Sequence, residues 1–531
     1  MLDGTTLTPE LRDRFERTGI DAALTFHILE AFNAGRYTGV EPVHVSSLPV
    51  VDGKTILDLT GAVEWRAPSS QVRERIGAVG LDVDLERYAR REGSTLIFDR
   101  ASLQRLGEAL LPAVSYGILN GGSATSYTDI VKNTAFSERI LEICREPFDA
   151  ISEIAGGRAK GITPAFVHPD GTAGPSYLEL KLRALLIQVL RGQQADGARS
   201  ASDEPSVLFP MFQMTSINND AEVQRALEEY RASPMLAELI ERTGVDMTRV
   251  LTGVQPLIAA YTHSSEGSPK RVFTRAYGES NAILPLPGGH GQNFLVLSSI
   301  YRELHRRGKR FIQLGNVDNL GNTVDPVEVA LLALSGKQAG FDFSFKTPVD
   351  VKGGILVVEQ HGRLDCADIG PAISHEEVAE AESRGTPILF NCATGLFDLS
   401  YLVGRLDDIV ERLPMRWSDQ EKDAGRYSQA EQVTWEIIAM LDDFFIFGVD
   451  KYRRFLAAKL LLECLMTSGI GLDDPRYPTD PDSSKDLSAV ARRLHGGLTE
   501  KLAGVYGMVR EGGRWRPQRP DELLRHQEDV R

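Results

Sequence analysis

"RFIQLGNVDNLGNTVD", residues 310–325, begins as an apolar strand and ends in amides and a carboxylate. Phe311, Ile312 and Leu314 suit a buried strand, which then stops at Asn316-Val317-Asp318-Asn319. An Asx-turn or a helix N-cap explains one Asp or Asn at a strand end. It does not explain three. In open α/β sheets ligands bind beyond the carboxyl ends of the strands, so a polar strand end of this kind marks a binding rim. Asp318 there offers oxygen to a hard divalent cation, with water and phosphate oxygens completing the shell.

The flanking sequence predicts the rest of such a sheet. Short apolar runs read as strands: "VSYGIL" (114–119), "ITPAFV" (162–167), "VLFPMFQM" (207–214), "RVLTGV" (249–254), "FDFSF" (341–345), "GILVVE" (354–359) and "PILFNC" (387–392). Between several of them lie helical patterns such as "SYLELKLRALLIQVL" (176–190), "DAEVQRALEEYRAS" (220–233), "NFLVLSSIYRELHRRG" (293–308) and "PVEVALLALSG" (326–336). Alternation of this kind predicts a mixed, mostly parallel sheet with helices on both faces. The expected layout is an N-terminal α/β extension over 1–110, a catalytic core over 111–410 and a mostly helical region over 411–531. Within the last, 429–470 reads as one or two long helices and 473–486 as a Pro, Asp and Ser-rich loop.

The 531 residues carry 59 basic and 74 acidic side chains, a net charge of -15. That balance argues against nucleic acid and anionic membrane as partners, because both need a positive field. Cys144, Cys366, Cys392 and Cys464 have the spacing of neither a zinc site nor a disulfide framework. The polar start and the absence of any apolar run of about 18 residues lead us to expect a cytoplasmic protein.

Other strand ends are polar too. "LNGGSATSY" places Leu119, Asn120, Gly121 and Gly122 after an apolar strand, either as a plain turn or as a loop whose N–H groups cradle phosphates. Neither a G-x-G-x-x-G fingerprint nor a Gly-Lys-Ser/Thr loop is present, which excludes the common dinucleotide and Walker motifs. "PGGHG" sets His290 among glycines, an irregular turn or a ligand contact. "DVKGG" offers Asp350, Lys352, Gly353 and Gly354 before a strand, with Asp368 in a second, either as a tight hairpin or as ligand contacts. "YRRFLAAKLLLECL" carries Lys459 in what reads as an apolar helix, as a snorkelling lysine or a phosphate ligand.

Taken in order, L-N-G-G-x-x-T-S, M-x-S-x-N-x-D, P-G-G-H-G, N-V-D-N-L-G, D-V-K-G-G, F-N and R-F-L-x-x-K resemble the eukaryotic-type UTP–glucose-1-phosphate uridylyltransferases, the UDP-glucose pyrophosphorylases. The likeness runs from about Leu119 to Leu460. It implies a Rossmann-like nucleotidyltransferase (GT-A-like) fold that uses Mg2+ and joins UTP to a sugar 1-phosphate, glucose 1-phosphate before galactose 1-phosphate or N-acetylglucosamine 1-phosphate. By the same likeness Leu119, Asn120, Gly121, Gly122, Gln255 and Gly289 hold the nucleotide, with Gln255 reading uracil. His290, Asn316, Gly354, Asp368 and Asn391 hold the sugar phosphate, Asp318 the metal, and Lys459 the phosphates. The sequence departs from the family at its Pro-Lys pair, where Ile162 and Thr163 stand. Lys160 is the expected substitute, with Lys132 the other candidate. Ala124 replaces a loop glycine, about thirty residues are inserted before "AKGITPAF", and no hexapeptide-like repeat follows Ser468. A non-catalytic nucleotide-sugar binder is the rival expectation, and the oligomeric state is left open.

Overall fold

Residues 9–36, 43–195, 211–347, 350, 353–481 and 486–528 are described by the computed structural model. Among the described residues the central sheet has eleven strands. In chain order they are β1 (Val45–Ser47), β2 (Ile56–Asp58), β3 (Val114–Leu119), β4 (Met211–Ser216), β5 (Leu251–Gln255), β6 (Phe311–Asn316), β7 (Ala339–Phe345), β8 (Gly354–Glu359), β9 (Leu364–Asp368), β10 (Leu389–Asp398) and β11 (Phe444–Val449). The spatial order is β2-β11-β7-β10-β6-β3-β4-β5, with the β8–β9 hairpin and β1 joined at the side through β10. All neighbours on that path are parallel except that β10 runs against both β7 and β6.

β3 and β11 are buried along their whole length, and β6 is buried up to Asn316, which is why they read as continuous apolar runs. One face is covered by helices Arg100–Leu110, Tyr177–Ala195 and Pro326–Ser335. The other carries Ser298–Arg306 and Leu399–Arg412. The helix over 326–335 has its stop and start signals in the sequence: Asp325 accepts from Val327 N–H at 2.9 Å, Pro326 opens the first turn, and Gly336 closes it at φ 68°. From β3 the chain adds β4 and β5 outward, then returns to lay β6 on the opposite side of β3. The strand order therefore reverses between β3 and β6, where Leu119 lies opposite Asn316. A crevice forms at such a reversal because the two connections leave in opposite directions.

Several expectations need correction. "ITPAFV" is not a strand: Lys160–Ile162 is a 3-10 turn, and Pro164 and Val167 form only isolated bridges. Residues 429–470 are not long helices. They hold the end of a strand over 425–431, a 3-10 turn over 434–440, β11, and short helices over 451–454 and 461–467. β10 runs six residues past "PILFNC", to Asp398. The sheet also takes β2 from before residue 110 and β11 from after 410, so both boundaries drawn from sequence cut through it. Residues 207–210, Val351 and Lys352 lie outside the described residues. Among the described residues no helix is long and apolar enough to cross a membrane.

The inserted stretch forms helices Ile130–Ile143 and Arg145–Ala155, which pack against the helix Leu461–Thr467. Asn133, fully buried, ties the two together. Its Nδ2 donates to the carbonyls of Tyr127 (3.0 Å) and Asp129 (2.8 Å), and its Oδ1 accepts the N–H of Leu462 (3.0 Å).

Candidate active site

Beyond Asn316 the chain turns tightly, and Asp318 emerges at the β3/β6 reversal. Asp318 lines a cavity of about 270 Å³ together with His290, Asn316, Gly354, Asp368, Asn391 and Lys459. Lys459 arrives because Ala457 bridges Asn319 and because Asn319 Oδ1 accepts the N–H of Leu456 at 3.0 Å. It does not sit in a helix, as its apolar neighbours suggest, but in an exposed turn between helices 451–454 and 461–467. The anchor of that segment is a buried ion pair, Lys451 to Asp350, which gives "DVKGG" a structural task.

Backbone shape sets the cavity walls. A Cβ on Gly289 (φ 83°) would meet the carbonyl oxygen of Gln432 at 2.3 Å, and one on Gly354 would meet Cys366 Sγ at 2.5 Å. β10 loses register with β7 between Phe341 and Phe343, and Ala393, two residues after Asn391, takes a left-handed φ of 51°. A bulge of this kind re-aims side chains, here at the cavity. Asn391 holds its place by accepting from Ala393 N–H at 2.8 Å and donating to Cys366 Sγ at 3.3 Å.

His290 is neutral. Burial, helped by the Arg416 guanidinium, pushes it down to about 4. Its Nδ1 accepts the N–H of Thr434 at 3.2 Å, so the proton sits on Nε2. Arg416, which the sequence reading missed, donates to Asp368 Oδ2 at 2.9 Å and to Glu436. It lies on an antiparallel ribbon, residues 416–422 and 425–431, with no motif to announce it.

The residues expected from sequence to hold a nucleotide do not line this cavity but meet one another next to it. Gln255 donates to Gly289 O (2.8 Å) and Gln292 Oε1 (2.9 Å), which leaves its own Oε1 towards Gly121. Ser216 Oγ donates to Gly121 O at 2.9 Å. Leu119 is a core residue, and its carbonyl accepts Val317 N–H. Asn120 is wholly buried, bonded to Gln213 Oε1 (3.2 Å) and to Gly161 N–H (3.2 Å). Both are therefore supports for the loop, since neither side chain reaches the cavity.

Asn120 thereby fixes the turn that bears Lys160, whose N–H donates to Gly122 O at 3.0 Å. The Lys160 ammonium is buried over the Tyr127 ring and lacks a hydrogen-bond partner among the described residues. Burial lowers it to about 8, against the pull of the Asp318 carboxylate. Lys132 is exposed and donates to Ser126 Oγ at 2.7 Å. A second buried lysine, Lys181, went unremarked in the sequence although it interrupts an apolar helix face. Burial brings it to about 7, and again the Asp318 carboxylate opposes the shift.

The sequence model of the family described as UTP–glucose-1-phosphate uridylyltransferase matches residues 269–469. The enzyme of that name from Solanum tuberosum is 27% identical over 182 residues, covering 34% of this chain and 38% of the potato protein. Its counterpart from Encephalitozoon cuniculi is 26% identical over 177 residues, 29% and 36% of the two chains. The matched part thus spans under two fifths of these curated relatives. Among solved structures, a UDP-glucose phosphorylase from Trypanosoma brucei superposes with a TM-score of 0.53 at 16% identity, covering 89% of this chain and 80% of its own. A uridine diphosphate N-acetylglucosamine pyrophosphorylase from the same organism gives 0.52 at 16%, covering 94% and 88%. The solved structures share the fold of this chain, and over 269–469 its sequence is similar to the UTP–glucose-1-phosphate uridylyltransferase family.

Proposed function

We propose that the chain is a nucleotidyltransferase that converts UTP and a sugar 1-phosphate, glucose 1-phosphate first, into a UDP-sugar and pyrophosphate. The observation that carries this reading is the meeting of Asp318, Lys459 and the sugar-side group His290, Asp368 and Asn391 in one cavity at the strand-order reversal. The buried, unpartnered Lys160 beside it supports the same reading.

The donor set suits Mg2+ that arrives with nucleotide phosphates. Asp318 supplies one carboxylate, and no group of three or more His, Cys, Asp or Glu among the described residues holds a metal by itself. Asp318 would hold the ion, with Asn316 beside it, and the ion when bound neutralises phosphate charge. The chain's own residues do the remainder. A sugar phosphate oxygen is already anionic at neutral pH, so it attacks the α-phosphorus in line without a strong base. The obstacle is repulsion between two polyanions, which Lys459 and Lys160 reduce by direct charge. Gln255 Oε1 accepts the uracil N3–H, and the backbone at Gly121 and Gly122 lets the phosphates lie close. His290 Nε2–H and the Asp368 carboxylate, steadied by Arg416, read sugar hydroxyls. Positioning of this kind supplies much of the barrier reduction in reactions that need no covalent chemistry.

The test is pyrophosphate release from UTP with glucose, galactose and N-acetylglucosamine 1-phosphates, with and without Mg2+. Asp318→Ala should fold and lose about 10²–10³ in kcat. Wild-type kinetics in that variant would refute the metal assignment. UDP-sugar binding by titration calorimetry without release from any of the three would instead make the chain a binding protein.

A further inference from the structure

The turn that carries Asp318 leaves four carbonyls, those of Asn319, Leu320, Asn322 and Thr323, pointing away from the cavity into the molecule. Each is captured by a side chain from elsewhere. Lys181 Nζ donates to Asn319 O at 2.9 Å and to Asn322 O at 3.1 Å. Tyr116 OH also donates to Asn322 O (2.6 Å), while accepting from Lys181 at 3.0 Å. Tyr506 OH, from the C-terminal part of the chain, donates to Leu320 O at 2.7 Å. Arg454 Nη1 donates to Thr323 O at 2.9 Å.

Lys181 differs from Arg454 in one respect that matters. Arg454 is buried with two carboxylates, Asp342 and Glu328. Lys181 is 1% exposed, and its three bonds all go to neutral oxygens. A buried ammonium without an ion-pair partner is costly, and a methionine would fill the same helix position without that penalty. The carboxylate that bears on its charge is Asp318, on the turn whose carbonyls it holds.

We propose that Lys181 is a positioning residue for Asp318: its buried ammonium grips the carbonyls of Asn319 and Asn322, fixes the turn, and keeps a positive charge close behind the phosphate site. Tyr506 shares the grip, which gives the C-terminal tail a part in the site. The proposal rests on the role given to Asp318 above.

Three measurements on Lys181→Met, Tyr506→Phe and a control, Leu186→Ala, test it. Leu186 is buried on the same helix and has no polar group with which to hold the carbonyls of the turn. Hydrogen exchange of peptides covering 317–323 should quicken about tenfold or more in Lys181→Met and less in Tyr506→Phe. Mn2+ affinity in the presence of UTP, followed by electron paramagnetic resonance, should fall in the same order. Turnover should drop by about 10–10² in Lys181→Met, because a small misplacement of a charge-bearing group is expensive. Uridine affinity should not change. Leu186→Ala should lower Tm and leave exchange at the turn, Mn2+ affinity and turnover alone.

A folded Lys181→Met with wild-type exchange, Mn2+ affinity and turnover overturns the proposal. So does Leu186→Ala losing Mn2+ affinity in proportion to Tm, which would make the effect one of stability. Should Lys181→Met not fold, Tyr506→Phe decides by the same readouts. A wild type that binds no Mn2+ and releases no pyrophosphate refutes the role of Asp318 instead. Exchange at the turn still reports whether Lys181 holds it.

Discussion

Replacing Lys160 by methionine should make the protein more stable and nearly inactive. The ammonium is buried, lacks a hydrogen-bond partner, and has been brought from its ordinary 10.5 to about 8 by that burial. A shift of that size amounts to about 3 kcal/mol against the charged form. Methionine is nearly isosteric and removes the penalty, but it also gives up the charge over the Tyr127 ring, a contact of about 1 kcal/mol. The net gain at pH 7 is about 2 kcal/mol. It has a pH signature. Unfolded Lys160 titrates near 10.5 and folded Lys160 near 8, so between those values the unfolded chain holds the extra proton and wild-type stability rises with pH. The advantage of methionine is therefore complete below pH 8 and fades towards pH 10.5. Urea unfolding of both proteins at pH 7 and 9.5 measures it as a difference of differences. Turnover should fall by about 10²–10³, as for loss of one preorganised charge. A methionine variant that is less stable at pH 7, or that turns over normally, would show that the ammonium is satisfied some other way and is not waiting for phosphate.

Two further outcomes are expected. Gln255→Ala should weaken UTP more than sugar 1-phosphate, by about tenfold for one lost hydrogen bond, and equal effects on both KM values would remove its uracil role. His290 titrates near 4 when folded and near 6.5 when unfolded, so it costs stability as pH falls through that window, by up to about 3 kcal/mol. His290→Asn should flatten the acid limb of a Tm–pH curve between those values, and an unchanged limb would place the imidazole in water.

The reading from sequence succeeded where burial and chemistry agree locally. Strands β3 and β8 are recovered to the residue, because both have abrupt polar or glycine ends. The residues that line the cavity were legible where Asn316, Gly354 and Asp368 lie at strand ends and Asp318 follows two residues after one. β11 was lost among helices because "FFIFGV" is apolar at every position and has no period to distinguish strand from buried helix. "ITPAFV" misled for the opposite reason: its residues are buried, yet their backbone bonds go to the turn at 160–163 and the segment 172–176 rather than to a ladder. Leu119 and Asn120 support their loop from inside. Arg416 and Lys181 act through partners distant in the chain, and no local pattern announces such pairing.

Asn133 has one further consequence. Its amide satisfies three backbone groups belonging to two separate parts of the chain, one of them at Leu462, three residues after Lys459. Buried peptide groups rarely go unsatisfied, so the helical hairpin and the lysine-bearing bend travel as a single handle. Any opening that lifts one must lift the other. Trimming the hairpin to the shorter family length would strand the Leu462 amide in an apolar pocket and loosen the bend that brings Lys459 to the cavity.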